Sequence, residues 1–341
     1  MCLSNNSYRA PRVSFDDTIL LGLEVKDPTT GLVEHVVGYY NKVSARAAEA
    51  SAPATTGGED FGWDVKPAKK AKTPAATKVG NAMLIAVPAE PGTVNAKSLV
   101  AVGKFPAFME DYKRAVAPRP RMRRGGLRSR SADSMLGAKA IVVKGFDGGT
   151  YDVVISPSAG QIASVIKKVA KAKRPQLNAE LYAELDTLYP GFTFVLFCFS
   201  EEDTAKSGCA VVKYQPRQGN ENLLYLPGLD GHNGKVETGD VELNHTLVVG
   251  SYRMEQFADT SAVTFSDAGL QSTYPFFLDR VVGKIIPKGT MAPQGDFLFN
   301  LDDVRKGVFR AKRQLPPNWS KVYGKVGVPA TPFFITADSS Y

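Results

Sequence analysis

The apolar residues of this chain come in strand-length runs joined by turn residues. TILLGLEV (18–25) and EHVVGYYNKV (34–43) flank DPTTG (27–31), whose Pro and Gly sit where a tight reversal needs them. Runs this short cannot make long buried helices, and the turns between them favour hairpins over parallel βαβ crossovers. NAMLIAVPAEPG reads as a strand closed by proline. KAIVVKGFDGGTYDVVISP reads as two strands around the Gly-rich turn FDGG. FTFVLFCFS and CAVVKYQPR read as a paired couple, and LLYLPGLDG and HTLVVGSYRM as two further strands.

Helical spacing is confined to a few places. Phe108, Tyr112 and Ala115 share one side of AFMEDYKRAVA. Ser158 caps a segment with Ile162, Val165, Ile166 and Val169 in register. Leu177, Leu181 and Leu185 continue in LNAELYAELDTLYPG, which Pro190-Gly191 stops. YPFFLDRVV is the last helical candidate. The expected class is α+β: mostly antiparallel sheet, two or three helices and long flexible insertions.

One insertion spans about 44–79, rich in Ala, Pro, Thr, Gly and Lys, with FGWDV around Trp63 inside it. A second segment, 113–134, is arginine-rich. The expected organisation is an N-terminal α+β region (1–112), this basic linker, and a C-terminal α+β domain (135–341).

Charge is not spread evenly. The chain of 341 residues has a formal charge of +8. Lys113, Arg114, Arg119, Arg121, Arg123, Arg124, Arg128 and Arg130 follow one another with no acid between them, and they equal that excess. Pro118, Pro120 and Gly125-Gly126 forbid a stable helix there. Guanidinium forks suit phosphate, so Arg119, Arg121, Arg123, Arg124, Arg128 and Arg130 form the candidate nucleic-acid or polyanion contact. The segment has no aromatic residue for base stacking. A solvated loop, or one meeting an acidic patch of a partner subunit, explains it equally well. Lys66, Lys69, Lys70, Lys72 and Lys78 form a second basic cluster.

Catalytic candidates are sparse. Removal of Met1 leaves Cys2 at the N-terminus, where N-terminal nucleophile enzymes such as class II amidotransferases carry theirs. His232 or His245 would then supply the partner base. LSNNSYRAP follows Cys2 in place of the glycine-rich continuation of those enzymes. Asp230, His232, Asp240 and His245 gather in one polar segment, but their spacing matches no metal motif and reads equally well as hairpin turns. No GK[ST], GxSxG, HExxH or CxxC pattern occurs, and no cofactor or metal is expected. Asp302-Asp303 and Glu201-Glu202 read as solvated pairs, and His35 as a surface or edge residue. The three cysteines, Cys2, Cys198 and Cys209, lack framework spacing and point to a reducing, cytoplasmic setting. Cys198 and Cys209 read as buried, with the alternative that they face each other from neighbouring strands. No run of 18 apolar residues exists, so no membrane span is expected.

Three pieces resemble an uncharacterised bacterial protein family of unknown function: Val87-Pro88-Ala89, Leu226-Pro227 with His232 and Gly234, and His245-Thr246-Leu247. The resemblance implies no activity. The expectation is therefore a non-catalytic structural or binding protein, homo-oligomeric, whose basic segments contact nucleic acid or a partner subunit. The alternative is a hydrolase or amidotransferase with Cys2 as nucleophile.

Overall fold

The computed structural model describes residues 13–28, 30–45, 80–118, 139–206, 208–229, 235–255 and 260–338. The strands are β1 (Val13–Lys26), β2 (Val33–Ala45), β3 (Asn81–Val87), β4 (Ile141–Phe146), β5 (Tyr151–Ser156), β6 (Thr193–Phe199), β7 (Cys209–Tyr214), β8 (Leu223–Leu226), β9 (Asp240–Leu243), β10 (His245–Ser251), β11 (Ser261–Ala262), β12 (Arg280–Ile285), β13 (Thr290–Pro293), β14 (Asp296–Asn300), β15 (Arg310–Gln314) and β16 (Phe333–Thr336). The helices are α1 (Phe108–Val116), α2 (Ala159–Val165), α3 (Ala179–Leu188), α4 (Gly269–Thr273), α5 (Leu301–Arg305) and α6 (Trp319–Tyr323). The class is α+β.

A six-stranded sheet runs β11-β12-β10-β1-β2-β7. Two four-stranded sheets run β3-β6-β5-β4 and β16-β15-β14-β8, and β13 pairs with β9. All named pairings are antiparallel except β1 with β10. The main core lies between the six-stranded sheet and the two four-stranded ones, joining Leu20, Val37 and Leu247 to Phe197, Ile155, Phe297 and Phe299. α2 and α3 cover the far face of β3-β6-β5-β4. α1 covers the far face of the six-stranded sheet. Pairing crosses the 113–134 segment repeatedly: β1 joins β10, β2 joins β7 and β3 joins β6.

Local chemistry explains the hairpins. Asp27 Oδ1 accepts from the Thr30 N–H at 2.8 Å, and Gly31 takes φ +72°, which closes β1 onto β2. Gly148 and Gly149 take φ +66° and +93° between β4 and β5. The Ser158 hydroxyl accepts from the Gln161 N–H at 3.3 Å and starts α2. Asn178 caps α3, so Leu177 lies just before the helix rather than in it.

Three expectations need correction. β6 and β7 do not pair with each other; β6 lies between β3 and β5, and β7 pairs with β2. A 3-10 turn over Glu201–Lys206 carries the chain from one sheet to the other. Cys198 and Cys209 consequently sit on different sheets as free thiols. YPFFLDRVV is not a helix: the short α4 precedes it, and its end enters β12. Among the described residues no helix is long and apolar enough to cross a membrane.

Candidate functional site

Arg119, Arg121, Arg123, Arg124, Arg128 and Arg130 lie outside the described residues, as do Cys2, Asp230, His232, Trp63 and the 66–78 lysines. Their flanks are described. Lys113 at the end of α1 pairs with Asp17, and Arg114 pairs with Asp111. Asp111 is also held by Ser266, through its N–H at 2.8 Å and its hydroxyl at 2.7 Å. Two of the eight consecutive cations are thus matched by acids of the fold.

The chain beyond the arginine segment is basic as well. Residues 139–174 carry Lys139, Lys144, Lys167, Lys168, Lys171, Lys173 and Arg174 against two acids, Asp147 and Asp152. Both acids are occupied by backbone amides. Asp147 accepts from the Gly103 N–H at 2.8 and 2.9 Å. Asp152 accepts from the Gly145 N–H at 3.0 Å with one oxygen and from the Ala170 N–H at 2.8 Å with the other. That carboxylate clips β4 to the turn after α2. Lys144 and Lys171 each adjoin one of the clipped residues.

Two of the seven cations hold this turn together. Lys173 donates to the carbonyls of Gly149 and Thr150 and lies 3.5 Å from Asp203. Arg174 donates to the Lys167 and Val169 carbonyls at 2.6 and 2.9 Å. Lys139, Lys144, Lys167, Lys168 and Lys171 remain exposed. The result is a basic platform on the residues that follow the arginine segment in sequence. The positive excess is local here because seven cations stand against two acids, both of which accept from backbone amides.

A second polar constellation lies inside the molecule. Ser251, Glu24, His35 and Tyr214 form one row across four neighbouring strands, each opposite the next. Arg305 of α5 closes over the row and donates to both Glu24 oxygens, at 2.6 and 3.2 Å. Asn222 and Asp302 take its remaining NH1 bonds at 3.0 Å each. A serine, a histidine and a carboxylate together raise the possibility of nucleophilic catalysis. The geometry argues against it. The Ser251 hydroxyl donates to Glu24, not to His35. All three are 3% exposed or less.

His35 is therefore not a surface or edge residue. It is 1% exposed on β2, an interior strand, edge-on to Tyr214 at 5.7 Å. Its ring nitrogens make no hydrogen bond, although the Glu221 backbone lies beside them. Burial is the main reason its pKa falls to about 4; Glu24 opposes that shift and Arg305 adds to it.

His245 opens β10, half-buried, with its ring 5.8 Å from Phe297, and Asp240 is exposed at the start of β9. Among the described residues no group of three His, Cys, Asp or Glu side chains is placed to hold a metal. The Cys198 and Cys209 thiols are pushed up by burial, out of the range of an activated nucleophile.

Sequence reasoning passed over Asp296 and Arg313. Asp296 is buried; it accepts from the Tyr189 hydroxyl at 2.8 Å and from the Gly228 and Leu229 N–H groups at 2.9 and 3.1 Å. Burial raises its pKa. Arg313 lies over the Phe297 ring at 4.3 Å and donates to the Pro293 carbonyl at 3.1 Å. The pair fixes residues 228–229 to β14. Nothing in GDFLFN or RAKRQ marks either residue as buried, because strand alternation alone does not say which face meets a second layer.

No family model matches this chain, and no curated protein matches it significantly. The resemblance to a bacterial family is thereby overturned: it rested on a few short strings, too little to carry a family. Among solved structures, baculovirus P35 aligns over 85% of this chain and 89% of its own, at 12% identity and a TM-score of 0.34. A mutated baculovirus P35 after caspase cleavage aligns over 84% and 91%, again at 12% and 0.34. A second structure of that kind covers 70% and 67% at a TM-score of 0.31. Similarity at this level establishes neither fold family nor activity.

Proposed function

We propose that this is a non-catalytic structural or binding protein that holds a polyanion, with nucleic acid as the ligand class, and that assembles with further copies of itself. The observation that carries the reading is the separation of charge along residues 139–174. Five lysines are exposed against two acids, and both acids are fixed on backbone amides of the fold. The six arginines between 119 and 130 precede that platform in sequence, with eight residues (131–138) between Arg130 and Lys139. Phosphates neutralised there release counterions, so binding is salt-sensitive and tolerant of sequence.

The test is filter binding of labelled RNA at physiological salt. We expect two variants to lose most of the affinity: one with the six arginines changed to serine, and one with Lys144, Lys167, Lys168 and Lys171 changed to glutamine. Wild-type protein that fails to retain RNA would overturn the reading. Light scattering of the same samples measures the mass of the assembly and tests self-association separately.

A further inference from the structure

The sheet β16-β15-β14-β8 has one face in the core and one turned outward. Leu224, Leu226, Phe297, Phe299, Ala311 and Ile335 alternate into the core. Their neighbours point the other way. On that outer face Phe334 lies opposite Lys312, Lys312 opposite Leu298, and Leu298 opposite Tyr225. In the next row Arg310 lies opposite Thr336, and Leu223 opposite Asn300. Tyr225 is covered by Phe192 at 5.4 Å. Phe334 and Leu223 are not covered; they are 38% and 37% exposed.

Two properties of this face select its occupant. The two open rows carry two cations, Arg310 and Lys312, and no acid; the acid of the third row, Asp296 opposite Gln314, is buried under Tyr189 and the 228–229 backbone. A second copy laid on it by this same face would bring cations against cations with nothing to neutralise them. An anionic partner meets no such cost. The aromatic ring is the second property. Phe334 is partly exposed on its strand, and the Arg310 guanidinium lies over one face of its ring, 4.5 Å from the centroid. An unpaired base can stack on the outer side of that guanidinium or on the ring's other face, while duplex bases are already stacked and present only phosphates.

We propose that the outer face of this sheet binds single-stranded nucleic acid, with a base stacked against Phe334 and Arg310 and a neighbouring phosphate held by Lys312. The inference rests on the polyanion reading and narrows it to single strands. It places base contacts away from the arginine segment, which has no aromatic residue of its own.

Fluorescence anisotropy with labelled oligothymidylate tests it on the full chain. Phe334→Ala should weaken binding about tenfold, the scale of one lost base stack, with the salt slope unchanged. Phe334→Trp should restore affinity, and circular dichroism should show both variants folded, since the ring is partly exposed. Lys312→Gln should instead make the salt slope shallower by about 0.7. Oligothymidylate bearing bromodeoxyuridine should photocrosslink to the peptide containing Phe334. If Phe334→Ala binds as the wild type does while the six-arginine variant loses binding, this face is not the site and the polyanion reading stands. Equal affinity for duplex DNA, or full competition by polyglutamate, would also overturn the single-strand assignment. If wild-type protein binds no oligonucleotide, both readings fall.

Discussion

At the scale of the residue, His35 in the buried row of Ser251, Glu24, His35 and Tyr214 is the group that ties stability to acid. His35 has a folded pKa of about 4 against an ordinary 6.5. Its neutral form is favoured in the fold, so its contribution is complete above pH 6.5 and is lost as pH falls from 6.5 towards 4. The loss amounts to about 3 kcal/mol once pH is below both values. His35→Phe should flatten that limb of a melting-temperature profile; a limb unchanged between pH 6.5 and 4 would show that other groups set it. Glu24, 1% exposed, is held by Arg305. Arg305→Met leaves the carboxylate with the more distant Arg253 at 3.7 Å and should cost about 3 kcal/mol in urea unfolding. A cost below about 1 kcal/mol would mean that water reaches Glu24 in the folded state.

At the scale of the element, hairpins and caps were legible and long-range pairing was not. DPTTG, FDGG and Ser158 each carry their own geometry, so β1–β2, β4–β5 and the start of α2 follow from local sequence. The parallel pairing of β1 with β10, more than two hundred residues apart, leaves no local mark. The erroneous pairing of β6 with β7 has a physical cause: adjacency in sequence favours a hairpin, but the 3-10 turn after β6 redirects the chain. His35 was misplaced for a related reason. EHVVGYY alternates as an edge strand does, yet β2 has strands on both sides and residues packed on both faces. In the candidate site, the excess of lysines was legible, while the Asp152 clip was not, because it joins backbone amides at 145 and 170. The approach of Gly80 to the turn at 173–175 belongs to the same class. A Cβ on Gly80 would lie 2.1 Å from the Lys173 carbonyl carbon. Gly80→Ala should therefore destabilise the protein by roughly 1–3 kcal/mol and raise hydrogen exchange in residues 170–175. Exchange that stays at wild-type rates would show that the turn does not depend on this contact.

At the scale of the whole molecule, three layers of sheet and helix give a framework whose acids are largely engaged near its basic surfaces. Asp17 and Asp111 take the first two cations of the arginine run, and Asp147 and Asp152 are spent on amides. The platform and the two open rows of the outer face of β16-β15-β14-β8 are the described places on which the polyanion reading rests. The central claim is that this charge serves phosphate. The most direct measurement is the affinity for single-stranded RNA across a salt titration, comparing the wild type with the six-arginine variant and the four-lysine variant. The account predicts a linear fall of log affinity with log salt for the wild type, and a slope shallower by about 0.7 for each engaged cation removed. Binding with a salt slope near zero, or slopes identical in all three proteins, would contradict it.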